Sequence, residues 1–166
     1  MLRPVKLSVL HAARALGVFS AAARSRRRSR KLLILCYHGI SIDDEHEWAP
    51  GLYISVDLFE SRLERLRRGG YCVLPLAEAV ARLRAGTLPP RSITITFDDG
   101  NFDFHQRAWP LLRKYNMPAT VYLTTYYCER NLPVFPGVVA YLLWKGRGTR
   151  AQVKLSCGDS VLVDAT

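Results

Sequence analysis

The sequence predicts an α/β fold of about four βα units, preceded by a basic helix, and three observations carry that reading. Residues 92–97 alternate Ser92, Thr94 and Thr96 with Ile93, Ile95 and Phe97, the period of a strand. Strand-like segments of this kind alternate with segments of helical spacing, which implies parallel pairing and crossover connections. Charge is also distributed unevenly. Residues 1–31 hold nine Lys and Arg and no acid, whereas residues 32–166 hold fifteen basic and fourteen acidic residues. The net charge of +10 therefore belongs to the arm, and a nucleic-acid partner for the domain is not expected.

In the arm, Val5, Val9, Ala12, Leu16, Phe19 and Ala23 fall near one face of a helix expected over 5–23. The run Arg24 to Lys31 follows it. Lys6, His11 and Arg14 interrupt any secretory or membrane-spanning apolar stretch. An Arg-rich, acid-poor segment also fits an organellar transit peptide. The two main readings are a segment lying on an anionic membrane surface and a helix covering the base of the domain.

The first strand is expected over 31–37 and ends at His38-Gly39. The acidic run 43–47 reads as a solvated face before a cation site. Ser55 is placed to cap a helix with Phe59, Leu63 and Leu66 on its buried stripe, ended by Gly69-Gly70. A second strand (71–74) and a helix with Leu76, Val80 and Leu83 lead to Gly86. After strand 92–97, Asp103 and Gln106 have capping-box spacing, and Pro110 requires a first turn or a kink. A fourth strand is expected over 119–124, a helix over 138–144, and a hairpin over 153–163 turning at Gly158-Asp159.

The central strand delivers Asp98, Asp99 and Gly100 at its carboxyl end, where α/β folds place their chemistry. Neighbouring strand-end residues point to opposite sides, so the two carboxylates can take different tasks. A solvated Asp-Asp-Gly turn is the plainer alternative. His38 ends the first strand on the same side as this turn. Tyr126, Tyr127 and Trp144 are candidates for stacking on sugar rings, although packing is the commoner role. Cys36 and Cys72 lie in expected strands, where a small buried thiol is the default. The four cysteines show no CxxC pair and no disulfide framework, which favours a reducing compartment.

Thr96-Phe97-Asp98-Asp99-Gly100 resembles the first motif of the polysaccharide deacetylase family (NodB-like carbohydrate esterases) at each of its positions. Ile34 to Ile40, with Tyr37-His38, resembles the family's first strand, and Met117 to Leu123 its Pro-Ala-Thr strand. The resemblance covers residues 32 to 143. It implies a partial (β/α) barrel, about half complete at four βα units. It also implies a hydrolase that removes acetyl groups from amino sugars of a cell-wall or exopolysaccharide glycan. By resemblance, Asp98 is the general base, Asp99 binds a divalent metal (zinc), and His38 and Tyr127 stand near the site or the substrate.

The family adds two histidines to the metal site. Here only His11, His38, His46 and His105 are present, and none pair at that spacing. Residues 32–166 are thus expected to be the N-terminal part of such a domain, stopping before the His motif, with the metal site incomplete. The alternative is a non-catalytic fragment that binds glycan or a membrane surface. A phosphoryl-transfer site fits less well, because its two Asp are generally one residue apart. No signal peptide or spanning helix is readable, so the expected location is cytoplasmic or membrane-associated, with the envelope implied by the resemblance. Half a barrel exposes strand edges, so the isolated chain is expected to be marginally stable or to aggregate.

Overall fold

The computed structural model describes residues 2–24, 31–154 and 156–164. The arm forms α1 (Leu2–Ala15) and α2 (Val18–Arg24). Then come β1 (Leu33–Tyr37), β2 (Gly39–Ile40), α3 (Glu45–Trp48), β3 (Tyr53–Ile54) and α4 (Val56–Arg68). They are followed by β4 (Cys72–Val73), α5 (Leu76–Ala85) and β5 (Ser92–Phe97). A π turn (Phe104–Ala108) runs into α6 (Trp109–Lys114), and β6 (Thr120–Val121) leads to α7 (Thr125–Arg130) and α8 (Phe135–Lys145). The hairpin β7 (Arg150–Lys154) and β8 (Ser160–Asp164) is antiparallel, with Lys154 opposite Ser160 as the Gly158 turn requires.

β5 organises the sheet. One edge pairs in parallel with all of β1, from Leu33↔Ile93 to Tyr37↔Phe97. The other edge is shared, with β4 at Ser92 and Ile93 and β6 at Thr96 and Phe97. Flanked on both edges and covered on both faces, all six β5 residues are buried. The alternation in its sequence therefore separates two buried faces rather than a wet face from a dry one. The α/β class and parallel pairing agree with expectation. Among the described residues the main sheet is open and four-stranded, and β2–β3 and β7–β8 form separate two-stranded sheets.

The apolar face of β5 carries the core. Phe59 and Leu63 of α4, with Ala108 and Leu112, pack against Tyr37, Ile95 and Phe97. Tyr37 stacks on Phe97 at 5.4 Å, and Phe59 meets Tyr37 edge-on at 5.2 Å. Such ring pairs add about 0.5–1.5 kcal/mol each beyond area burial. α4 starts where Leu58 N donates to Ser55 Oγ (3.3 Å), and Gly70 takes the left-handed conformation just past its end.

Three local expectations need correction. The arm is not one helix, because Gly17 at φ 71° divides it into α1 and α2. Asp103 does not cap the next helix. Its carboxylate instead accepts from Ile40 N at 2.6 Å. That helix opens with the π turn, in which Trp109 N donates to Phe104 O, five residues back. The wider turn gives Pro110 a place at the start of α6 without an interior kink. β6 is two residues long, not six, because β5 ends at Phe97. Tyr122 N still donates to Phe97 O (2.8 Å), and residues 122–124 then turn toward α7.

Candidate active site

The chain leaves β5 through a tight turn. Asp99 and Gly100 both have positive φ, 70° and 67°, and Gly100 N donates to Asp98 O at 2.9 Å. Asp is among the few residues that adopt this region, and such positions cluster at functional sites. Gly100 is fixed for a second reason, since a Cβ there would overlap the Leu123 side chain. Asp98 N donates to Tyr37 O (2.9 Å), and Thr124 N to Asp99 O (3.4 Å), so β1 and the end of the β6 segment hold the turn from both sides.

The two carboxylates diverge, as their adjacency predicts. Asp98 Oδ2 accepts from the Cys36 thiol at 3.2 Å and lies 3.8 Å from His38 Nε2. Asp99 is exposed, and its Oδ1 accepts from Thr124 Oγ1 at 3.3 Å. Asp99 lines two clefts. One, of about 140 Å³, is walled by His38, Trp48, Tyr53, Asn101 and α8. The other includes Phe102, Tyr127, Cys128 and Asn131. His38 and Tyr127 are therefore both near Asp99, but in different clefts.

Cys36 corrects the buried-thiol expectation. It is exposed, because it projects from the face of β1 opposite the Tyr37 core. Desolvation, then the bond to Asp98, push its thiol above the usual range, which keeps it a proton donor to that carboxylate. Cys72, Cys128 and Cys157 are free as well.

The acidic run is not simply solvated. Asp44 accepts from Trp144 Nε1 (3.0 Å), Trp48 Nε1 (3.2 Å) and Lys145 Nζ (3.2 Å). The Trp144 bond above all holds its carboxyl below the usual range. Asp44 thus ties the end of α8 to α3, and both helices contribute to the wall of the first cleft. His46, expected in solvent, is half-buried with Nδ1 3.0 Å from Ser41 Oγ. The candidate stacking rings have partners of their own, with Arg130 over Tyr126 at 4.1 Å and Arg147 over Trp144 at 3.8 Å. His105 is exposed.

Sequence reasoning missed two contributors. Asp103 is 4% exposed and joins the motif loop to β2; the legible signal was a carboxylate in the loop after the strand, but it pointed to a cap. Thr124 had no signal beyond its place at the end of the expected fourth strand.

A family metal does not fit these residues. Among the described residues no three His, Cys, Asp or Glu side chains converge on one point. His38 approaches Asp98, while Asp99 has Thr124 for a neighbour. A catalytic zinc site typically needs three protein ligands.

Comparison with known proteins finds one family similar to part of the chain. Residues 85–151 match the family model for polysaccharide deacetylase. Over this stretch the chain is similar to polysaccharide deacetylases. YxkH of Bacillus subtilis (strain 168), named for the same family, is 37% identical over 94 residues, covering 56% of this chain and 32% of the relative. Poly-β-1,6-N-acetyl-D-glucosamine N-deacetylase of Staphylococcus aureus (strain MSSA476) is 35% identical over 72 residues, 43% of this chain and 25% of the relative. The match thus spans a third or less of these curated relatives. The deacetylase PplD of Streptococcus pyogenes, solved in complex with acetate, superposes with a TM-score of 0.55 at 30% identity. That match covers 65% of this chain and 50% of the solved one. A de-N-acetylase from Aggregatibacter actinomycetemcomitans superposes at 0.53 with 21% identity, covering 78% and 60%, and shows the fold alone.

Proposed function

We propose that this polysaccharide deacetylase segment acts in removing acetyl groups from the amino sugars of a glycan, with Asp98 handling the proton of the attacking water. The observation that carries the reading is the divergence of Asp98 and Asp99 at the end of β5, inside the matched family segment. Asp98 has a thiol donor and an imidazole beside it, so its carboxylate is oriented, and a proton it accepts has a neighbouring base in His38. Asp99 would offer one oxygen donor to a divalent metal, zinc by resemblance. The cleft beside Asp99, about 140 Å³, has room for an acetamido group and has Trp48 and Tyr53 in its wall. Tyr127 would meet the sugar from the second cleft. Residues 32–166 are assigned to this domain and residues 1–31 to a separate arm.

A second reading is favoured by the absence of three converging ligands among the described residues. On that reading these 166 residues bind the glycan without hydrolysing it. Acetate release from β-1,6-linked N-acetylglucosamine oligomers, with zinc supplied, separates the two. Turnover that falls at least about 100-fold in Asp98→Asn supports the enzyme. Oligomer binding without turnover, and without zinc binding by calorimetry, supports the second reading. Neither turnover nor binding would overturn both.

A further inference from the structure

We propose that the N-terminal arm docks on an anionic lipid surface, with the apolar stripe of α1 laid into the headgroup boundary. This is independent of the deacetylase reading. Val5 and Val9 on α1 and Leu16 just past its end keep helical spacing, and they are 62%, 62% and 80% exposed. Val18 and Phe19, just past the Gly17 break, are half-exposed too. Lys6 and Arg14 are exposed off that stripe. Behind it, residues 24–31 add six more basic charges, and the whole arm has no acid.

Apolar stripe and unipolar charge together select the occupant. A polyanion such as RNA would pair with the arginines but leave Val5, Val9 and Leu16 in water. A second copy would cover the stripe but oppose two arms of like charge. An anionic leaflet satisfies both, taking the stripe into its acyl boundary and the basic residues at its headgroups. α1 has 14 residues, and among the described residues no helix is long and apolar enough to cross a membrane, so the arm lies on the surface.

Flotation of the full chain tests this, because vesicle-bound protein rises in a density gradient and aggregates sink. The chain should float with phosphatidylcholine vesicles containing phosphatidylglycerol, should not float with phosphatidylcholine alone, and should be released by high salt. Arg26→Gln, Arg27→Gln and Arg28→Gln together should weaken binding roughly 100-fold, about fivefold per charge. Val9→Asp with Leu16→Asp, both at exposed positions, should abolish flotation while leaving the fold of the domain unchanged by circular dichroism. Wild-type chain that stays at the bottom overturns the proposal. So does undiminished flotation of the Asp variant, which would make the arm a site for polyanions in general.

Discussion

Phe59→Ala should cost about 3–5 kcal/mol and leave little of the folded state. Phe59 is fully buried where α4 crosses the β1–β5 pair, edge-on to Tyr37 at 5.2 Å and to Phe97 at 5.8 Å. Truncation removes the ring that both others pack against and leaves a cavity next to the strand that carries Asp98. A domain of this size has about 5–15 kcal/mol of stability in all. An open sheet with exposed apolar residues nearby, such as Phe102 at 70% and Leu123 at 62%, belongs near the lower end. Urea-dependent proteolysis at low protein concentration measures the loss without interference from aggregation. Phe135→Ala, at a 71% exposed position, is the control and should stay within about 0.5 kcal/mol of wild type. A Phe59→Ala loss below about 1 kcal/mol would mean that this core does not organise the fold.

The same strand explains why so much of the fold could be read from the sequence. Ile93, Ile95 and Phe97 give the period, Pro89-Pro90 the start, and Asp98-Asp99-Gly100 the end, all from local chemistry. Helices α4 and α5 were legible for a similar reason, since Ser55, Gly70 and Gly86 are local stop and start signals. What was hidden depends on pairing over long distances. Cys36 looks like a core residue until β1 is placed at the sheet edge, with its Asp98-facing side open. The extent of β6 is set by where β5 stops, not by residues 119–124 themselves. Asp44 and Trp144 are a hundred residues apart, and no local pattern predicts their bond.

The site follows the same division. That Asp98 and Asp99 would take different directions was expected from strand alternation, but both lie past the end of β5 and the positive-φ turn at Asp99 sets their directions. That Asp98 would face a thiol and an imidazole, and Asp99 a threonine, depends on which strands flank β5. The shared edge of β5 matters here. β4 occupies its first half and β6 its second, so the loop after β6 reaches the turn and presents Thr124 to Asp99. A sheet with β4 paired along all of β5 would exclude that contact.

Asp103→Ala should destabilise the chain by about 1–3 kcal/mol, because Ile40 N–H then loses its acceptor in a buried position. Asp103→Asn should behave differently, and the contrast is informative. The amide oxygen can still accept from Ile40, but it carries no charge. In the wild type, burial raises the Asp103 carboxyl above its ordinary value of 3.8, more than the Ile40 bond lowers it, and Glu45 adds repulsion. A raised carboxyl means that the folded state holds its proton more tightly than the unfolded chain. Its contribution to stability is therefore full below the ordinary value and is lost as pH rises through the higher folded one. Asparagine has no such loss. Relative to wild type, Asp103→Asn should gain ground as pH rises from about 4 toward neutrality and lose it again on acidification. Urea midpoints for the three proteins across that range measure the effect. A wild-type advantage over Asn that grows toward neutral pH would show instead that the charged carboxylate stabilises the link between the motif loop and β2. The bond would then act as an ion–dipole clamp beside the Asp98–Asp99 turn.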